Sequence, residues 1–283
     1  MKGESMNSEA NAFKLNDGKQ HRARKRFGQN FLKDQQVIDR IIQTINPGAS
    51  EHLLEIGPGQ GALTRQLAAA VGKLDCVELD RDLARHIDSS YGSADKVTVY
   101  QHDILKFDLR QLTEKPNSLR IVGNLPYNIS TPVLFYLLQN HALIKDMTFM
   151  LQLEVVQRMT ATAGNKSYGR LGIMLQYFCE VEHCFNVPSA AFVPKPKVSS
   201  AIVRLTPHRE FPVSARSVES LQIVVRTAFN QRRKTLKNSL KALIPKAALD
   251  ALPLDLTLRP ENLSLADYVL ISDALTDDKE SQA

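Results

Sequence analysis

Apolar residues along the first part of the chain follow two patterns, one typical of amphipathic helices and one typical of buried strands. Helical spacing begins after Asp34, where the apolar residues from Val37 to Ile45 share one face and an Asn-Pro-Gly sequence then ends the pattern. Short apolar runs with intervening helical segments follow it. The predicted strands are 52–56, 73–79, 96–101, 119–124 and 146–153, and the predicted helices among them are 62–71, 81–88 and 131–140.

Short strands separated by helices of this length are typical of βαβ crossovers, so the sheet is predicted to be mostly parallel and covered on both faces. After residue 178 the order changes: two strand-like runs, 179–187 and 199–205, have only a Pro-rich loop between them. That spacing predicts an antiparallel pair at one edge of the sheet. The fold class is therefore expected to be α/β.

The last part of the chain shows helical signals only, at 215–230, at about 232–244 and after Pro260. The first residues are polar, with few large apolar side chains. The predicted organisation is a disordered tail over 1–20, an α/β domain over 21–207 and a small all-α domain over 208–283.

Composition narrows the class of protein. The 283 residues contain no apolar run long enough to span a membrane, and the N-terminus lacks the apolar centre of a signal peptide. Three cysteines offer no framework for disulfides, which favours a reducing cytoplasm. The net charge of +6 is concentrated at 19–26 and 226–241. Clustered positive charge indicates a polyanionic partner, nucleic acid before membrane.

The sequence EIGPGQGA at 55–62 joins the first predicted strand of the sheet to its helix. Glycine permits positive φ and a close approach of the backbone to a ligand, and a helix N-terminus offers unpaired N–H groups. Gly57, Gly59 and Ala62 also fit the spacing GxGxxA, so a dinucleotide cofactor stays open at this point. The loop is predicted to bind a cofactor.

Two acidic residues follow neighbouring strands. Glu78 ends the second strand of the sheet, where a carboxylate can accept hydrogen bonds from both ribose hydroxyls of an adenosine. Asp103 follows the third strand and is placed to accept from an adenine amino group. Because the carboxyl ends of parallel strands meet at one edge, both residues are expected beside the glycine loop.

The sequence GNLPYNIS at 123–130 places an amide, a proline and an aromatic ring at the end of the fourth strand. The Asn124 side-chain oxygen and the Leu125 carbonyl can each accept one hydrogen of an exocyclic amine, which turns its nitrogen toward tetrahedral geometry. Pro126 fixes its own φ and holds Leu125 extended. Tyr127 offers a face on which a flipped base can stack. The segment is predicted to hold the amino group of a nucleobase opposite a methyl donor.

Together these motifs resemble the ribosomal RNA adenine N6-dimethyltransferases, which are S-adenosylmethionine enzymes of the class I methyltransferase fold. The resemblance runs from RFGQNFL (26–32) to FVPKPKVSSAIVRL (192–205) and includes LQLEVVQRM (151–159). GNLPYNIS and FVPKPKVSS resemble the bacterial branch that dimethylates two adjacent adenosines in a hairpin loop near the 3′ end of 16S rRNA, within the small ribosomal subunit or its precursor. The large-subunit antibiotic-resistance branch is the alternative.

The resemblance also implies residue roles. Asn30 and Leu32 would line the cofactor pocket, Gly57 would contact the methionine end, and Asn124 would lie where cofactor and target meet. Phe192 resembles a second aromatic that flanks the target base, although the sequence is equally compatible with a core position.

Basic residues of the C-terminal part are spaced so that one helix face can pack through its apolar residues while the cations contact phosphate. The predicted RNA-binding residues are Arg226, Arg232, Arg233, Lys234 and Lys237.

No metal site and no catalytic histidine are expected, and nothing argues against a monomer. The remaining alternative functions are a nicotinamide-dependent dehydrogenase, which the GxGxxA spacing allows, and a non-catalytic subunit assembly factor.

Overall fold

The computed structural model describes residues 12–15, 20–22, 30–92 and 95–282. The basic segment 19–26 lies largely outside these residues, as do residues 1–11 and 16–19 of the predicted tail. The strands are β1 (Ala12–Lys14), β2 (Gln20–Arg22), β3 (Phe31–Leu32), β4 (His52–Ile56), β5 (Lys73–Glu78), β6 (Val97–Gln101), β7 (Leu119–Asn124), β8 (Ile144–Gln152), β9 (Cys179–Val187), β10 (Phe192–Val193) and β11 (Ser200–Pro207).

Helices separate most of these strands, as the apolar pattern predicts. They are α1 (Gln35–Ile45), α2 (Thr64–Ala70), α3 (Arg81–Tyr91), α4 (Ser130–Gln139), α5 (Leu153–Thr160), α6 (Arg170–Phe178), α7 (Val218–Asn230), α8 (Leu236–Leu240), α9 (Lys246–Asp250) and α10 (Leu265–Gln282).

Seven strands form one sheet in the order β6-β5-β4-β7-β8-β11-β9. β4 pairs in parallel with β5 and β7, β5 with β6, and β7 with β8. β11 is antiparallel to β8. The central strands β4 and β7 are buried except for one partly exposed end residue each, in keeping with their continuous apolar sequences. The predicted α/β class, mostly parallel with an antiparallel edge, is confirmed.

Two short pairings lie outside this sheet. β1 and β2 pair antiparallel, so residues 12–14 are ordered where the sequence predicts a disordered tail. The prediction rests on the shortage of large apolar residues, and strand pairing through the backbone does not need such residues. β3 pairs antiparallel with β10, which joins Leu32 to Phe192 and Phe31 to Val193. This second pairing brings the QNFL sequence to the FVPKPKV sequence.

Residue contacts divide the chain into two compact units: Met1–Val156 with Glu182–Pro207, and Gln157–Val181 with His208–Ala283. The domain boundary predicted near 208 falls at one of these divisions, and residues 157–181 group with the C-terminal part. The first unit contains the parallel strands and their helices.

An arginine supports the amino ends of the parallel strands in the first unit. Arg120 of β7 is 6% exposed and donates to Asp146 at 3.0 Å, to Glu51 at 2.5 Å and to the Ile45 carbonyl at 2.6 Å. Burial by itself would raise the pKa of Glu51, but hydrogen bonds from Lys145, the Gly48 N–H and Arg120 outweigh it and lower the pKa to about 2. The charges therefore stabilise one another inside the fold.

The second unit is mostly helical. Its predicted helix over 232–244 is wrong in extent, because residues 231–234 form turns after α7 and α8 covers only Leu236–Leu240. The Leu236 N–H donates to the Leu258 carbonyl at 2.9 Å instead of to a preceding turn of helix. Pro245 then directly precedes α9, a position that tolerates proline. Inside a helix its ring would clash with the preceding turn, so α8 and α9 cannot form one continuous helix.

Candidate active site

A cavity of about 360 Å³ lies in the first unit, beyond the carboxyl ends of β4, β5, β6 and β7. This is the edge at which open α/β sheets bind ligands. The lining includes the glycine loop, the residues after β5 and β6, the segment after β7 and the short strand β3. Of the predicted cofactor and catalytic residues, the cavity brings together Asn30, Leu32, Gly57, Gly59, Glu78, Asp103, Asn124, Leu125, Pro126 and Tyr127.

The glycine loop has the backbone conformation that its sequence requires. Gly57 has φ +67° and Gly59 has φ +59°, values that residues with a Cβ rarely adopt. A Cβ added to Gly57 would meet no atom within 4 Å, so its backbone borders open space. At Gly59 the added Cβ would lie 3.4 Å from the Phe31 ring. The loop is therefore open at Gly57 for a ligand and covered at Gly59 by β3.

Glu78 is fixed by two backbone donors. Its carboxylate accepts from the Gly59 N–H at 3.1 Å and from the Asp80 N–H at 2.9 Å. Burial raises the pKa of Glu78 to about 7, although these hydrogen bonds act in the opposite direction. Glu78 thus ties the glycine loop to the end of β5 and presents a carboxyl group to the cavity.

Asp103 lies in the loop after β6. Its carboxylate accepts from the Leu105 N–H at 3.0 Å and so caps a short 3₁₀ helix at Ile104–Lys106. The His102 N–H donates to the Glu78 carbonyl at 3.0 Å, which connects this loop to the end of β5. The two predicted acidic residues are therefore held beside the same cavity.

The amide of Asn124 is oriented by the residue that precedes β3. Its Nδ2 donates to the Asn30 carbonyl at 3.2 Å, and this leaves the amide oxygen as the acceptor of the group. On either side, the Leu125 N–H donates to the Met150 carbonyl at 3.3 Å and the Ile129 N–H to the Pro126 carbonyl at 3.1 Å. The backbone that carries the Leu125 carbonyl is thus held at both ends.

Tyr127 lines the cavity with its hydroxyl anchored. The hydroxyl lies 2.8 Å from Ser200 Oγ, on β11, and Ser200 is fully buried. Burial raises the pKa of Tyr127, so the phenol stays neutral and the ring keeps its hydrogen bond. Ser200 was not among the predicted residues; its place next to FVPKPKV is the only signal that the sequence gives.

Phe192 lies elsewhere. It is 3% exposed, belongs to the apolar core and is absent from the cavity lining, and its partner in the β3–β10 pairing is Leu32. Phe31, which pairs with Val193 on β10, lines the cavity. The role of Phe192 as a second aromatic beside the target base stays a prediction.

Glu55 is a cavity residue that the sequence analysis did not single out. It is 2% exposed, and its carboxylate accepts from the Thr64 hydroxyl at 2.7 Å. The sequence does contain a signal for Glu55: a carboxylate near the end of a buried strand, two residues before a glycine loop, must meet either a partner or a ligand.

The predicted RNA-binding residues lie in the second unit and are all exposed. Arg226 is on α7, and three of the others lie in the turn that follows it. Arg232 donates to the Lys166 carbonyl at 2.5 Å and lies 3.5 Å from Glu261. Lys237 pairs with Asp250 at 2.9 Å. Their predicted contacts with RNA stay predictions.

The cavity residues fit S-adenosylmethionine. Glu78 and Asp103 supply carboxylates for hydroxyl and amino groups, and Gly57 leaves backbone open to a ligand. Leu63, Leu83 and Ile104 add apolar walls against which an adenine can pack. Among the residues that the structure describes, no cluster of His, Cys, Asp or Glu could hold a metal ion, and no helix is long and apolar enough to cross a membrane.

Comparison with known proteins gives consistent matches. A family model described as ribosomal RNA adenine dimethylase matches residues 20–277. Ribosomal RNA small subunit methyltransferase A of Pseudomonas putida is 55% identical over 267 residues, 94% of this chain and 100% of that protein. The protein of the same name from Marinobacter nauticus is 53% identical over 264 residues, 93% of this chain and 95% of that one.

Two solved structures extend the likeness to the fold. A dimethyladenosine transferase from Plasmodium falciparum gives a TM-score of 0.72 at 26% identity, covering 89% of this chain and 98% of its own. The 23S rRNA methyltransferase ErmE gives 0.67 at 26% identity, covering 87% of this chain and 100% of its own. Both are similar to this chain over most of its length.

Proposed function

The chain belongs to the ribosomal RNA adenine dimethylase family, and we propose that it dimethylates N6 of two adjacent adenosines in a hairpin loop near the 3′ end of 16S rRNA. It is an S-adenosylmethionine-dependent rRNA methyltransferase, as the family match and the 55% identical relatives show. The observation that carries the proposal is the amide of Asn124, whose oxygen is left to accept at the cavity while its nitrogen donates to Asn30.

In this proposal the cavity residues hold the cofactor. Glu78 accepts from the ribose hydroxyls, Asp103 accepts from the adenine amino group, and the backbone at Gly57 lies along the methionine end. Leu32 of β3 and Asn30, which precedes that strand, line the pocket. When bound, S-adenosylmethionine supplies an electrophilic methyl group on a positively charged sulfur.

The target amine is shaped by two neutral oxygen acceptors. An adenine amino group is a weak nucleophile because its lone pair is delocalised into the ring. Acceptance of its two hydrogens by the Asn124 side-chain oxygen and the Leu125 carbonyl localises that lone pair and aims it into the cavity. Preorganised groups of this kind act with little reorganisation during the reaction. Pro126 contributes by restricting the backbone.

Tyr127 provides the surface on which the flipped adenine stacks. Stacking on an aromatic ring stabilises a bound base by about 1–3 kcal/mol, and unstacking a base costs a few kcal/mol, least in a loop. The balance favours an adenosine that is already unpaired. The hydrogen bond to Ser200 keeps the ring from rotating away when the base arrives.

The substrate is proposed to be the small ribosomal subunit or its precursor in the cytoplasm, bound by a monomer. Exposed cations in the turn after α7, with Arg226 on α7 itself, would contact phosphate. Phosphate contacts position the RNA without reading its bases. A catalytically inactive protein could still bind the subunit, so a role in subunit maturation is part of the same proposal.

The alternatives differ in their support. A target on 23S rRNA is supported by the likeness to ErmE, which is 26% identical to this chain. The small-subunit relatives are 55% identical, so the target on 16S rRNA has the stronger support. The dehydrogenase alternative is wrong, because residues 20–277 match the ribosomal RNA adenine dimethylase family. The GxGxxA spacing alone does not distinguish a nicotinamide cofactor from S-adenosylmethionine.

The experiment uses small subunits from a strain that lacks this activity. They are incubated with the protein and labelled S-adenosylmethionine, and modified nucleotides are mapped by mass spectrometry of rRNA fragments. We expect N6,N6-dimethyladenosine at two adjacent positions of one 16S rRNA loop, and none with Asn124→Ala. Label on 23S rRNA of large subunits treated in parallel, with 16S rRNA unmodified, would contradict the small-subunit target.

A further inference from the structure

Glu55 presents a buried carboxyl group to the cavity without a cationic partner. It is the next-to-last residue of β4, two residues before Gly57, and it is 2% exposed. Its carboxylate accepts from the Thr64 hydroxyl at 2.7 Å, and the Cys76 Sγ lies 4.0 Å away. A neutral hydroxyl offsets only part of the cost of burying a charge.

Glu78 shares the cavity and the same lack of a cation. Among the described residues, no ion pair includes Glu55 or Glu78. Glu55 and Cys76 are partners in the β4–β5 register, so Glu55 and Glu78 project from the same face of the sheet. The two carboxyl groups thus form an acidic pair, Glu55 and Glu78, at one cavity.

The protonation of this pair is balanced near neutrality. Burial raises the pKa of Glu55 to about 7; the Thr64 hydrogen bond lowers it and the charge of Glu78 raises it. Burial raises the pKa of Glu78 to about 7 as well. A positive charge nearby favours the ionised form of a carboxyl group and lowers its pKa. A cationic ligand should therefore displace a proton from the pair.

We propose that Glu55 is an additional cofactor-binding residue, which together with Glu78 releases a proton to solvent when S-adenosylmethionine binds. The resulting carboxylate favours the positively charged sulfur of that cofactor over the uncharged sulfur of S-adenosylhomocysteine. The proposal rests on the cofactor site described above. One O–H bond of the pair breaks, its electron pair stays on the carboxylate, and the proton goes to the buffer. Transfer of the methyl group removes the positive charge on sulfur, so the product is held less tightly and the pair takes up a proton again.

The sign of the pH dependence follows from linkage. Below pH 7 the pair is mostly protonated, so cofactor binding must displace a proton and is weakened. As the pH rises through 7 the carboxylates are already present, and the affinity for S-adenosylmethionine levels off. Each unit by which the cofactor lowers a pKa corresponds to about tenfold in affinity. The affinity for S-adenosylhomocysteine should change less over the same range.

Other groups that titrate or carry charge face the pair and must be separated from it. β5 contributes Cys76, the loop after it contributes Asp80, and α3 contributes Tyr91, which also interacts with Arg65 of α2. His102 and Asp103 also line the cavity. The isosteric variant Glu55→Gln leaves all of these in place and keeps an acceptor for Thr64, so the difference from the wild type isolates the Glu55 carboxyl.

The experiment is calorimetric titration of the full-length protein with S-adenosylmethionine and with S-adenosylhomocysteine, at pH 6, 7 and 8, in buffers of different ionisation enthalpy. The wild type should release a measurable fraction of one proton per S-adenosylmethionine at pH 7 and less for S-adenosylhomocysteine. In Glu55→Gln the release should fall and the preference for S-adenosylmethionine should become nearly independent of pH. Equal proton release by wild type and variant, or by the two ligands, would overturn the proposal.

A second variant guards against a folding defect in Glu55→Gln. Thr64→Val removes the hydroxyl that favours the ionised form of Glu55, so the proton release at pH 8 should exceed that of the wild type. An unchanged release at pH 8 would count against the role of Glu55. A wild-type protein that binds neither ligand would instead refute the cofactor site itself, which is a different result.

Discussion

Removal of the Ser200 hydroxyl tests whether methyl transfer needs a fixed Tyr127 ring. The two hydroxyl oxygens are 2.8 Å apart, and Ser200 is 0% exposed. A neutral hydrogen bond contributes about 0.5–1.5 kcal/mol net, and a buried polar group left without a partner costs about 1–3 kcal/mol. Since about 1.4 kcal/mol is a factor of ten in rate, Ser200→Ala should slow methyl transfer about tenfold.

A double-mutant cycle with Tyr127→Phe separates this effect from a general loss of structure. The assay is single-turnover transfer of labelled methyl groups to small subunits, with cofactor affinity measured in parallel by calorimetry. Each single variant should slow transfer with little change in cofactor affinity, and the double variant should be hardly slower than either, with a coupling of about 1 kcal/mol. Ser199→Ala, at an exposed neighbouring hydroxyl, is the matched control. Additive effects of the two substitutions would refute the positioning role.

Three further substitutions test the rest of the site and its support. Glu78→Ala should weaken S-adenosylmethionine by about tenfold or more, because charge-assisted hydrogen bonds contribute about 1.5–3 kcal/mol; wild-type affinity in calorimetry would contradict the ribose role. Gly59→Ala should also weaken the cofactor, since φ is +59° and the new Cβ would lie 3.4 Å from Phe31; an unchanged affinity would show that the loop adapts. Arg120→Met should lower the free energy of unfolding by about 3 kcal/mol in urea, because Asp146 loses its arginine partner and Glu51 keeps only Lys145 as a cationic partner. Glu51 contributes its stability above pH 4.5 and loses it as the pH falls toward about 2, so the difference between wild type and Arg120→Met should shrink on acidification.

The sequence predicts the central strands of the sheet well because these strands are buried on both faces and therefore read as continuous apolar runs. Strands 52–56, 119–124 and 179–187 agree residue for residue with β4, β7 and β9. The cofactor and target residues could be predicted to lie together for a topological reason: they follow parallel strands, whose carboxyl ends share one edge.

What the sequence could not predict depends on contacts between distant residues. β3 and β10 are two residues each, and only their pairing across 160 positions of chain places Phe31 on the cavity and Phe192 in the core. The hydrogen bond of Tyr127 to Ser200 spans 73 positions. The basic stretch after α7 has helical spacing, but Pro245 and the contact of Leu236 with Leu258 limit α8 to five residues.

Single-turnover methyl transfer by Asn124→Ala is the most direct test of how this site activates the adenine amine. The protein is first saturated with labelled S-adenosylmethionine, with binding confirmed by calorimetry, and then mixed with small subunits. We expect the rate to fall at least about a hundredfold, the size of effect that follows loss of one preorganised hydrogen-bonding group, with the cofactor still bound. A cofactor-saturated variant that transfers methyl groups at nearly the wild-type rate would show that the Asn124 oxygen does not shape the amine.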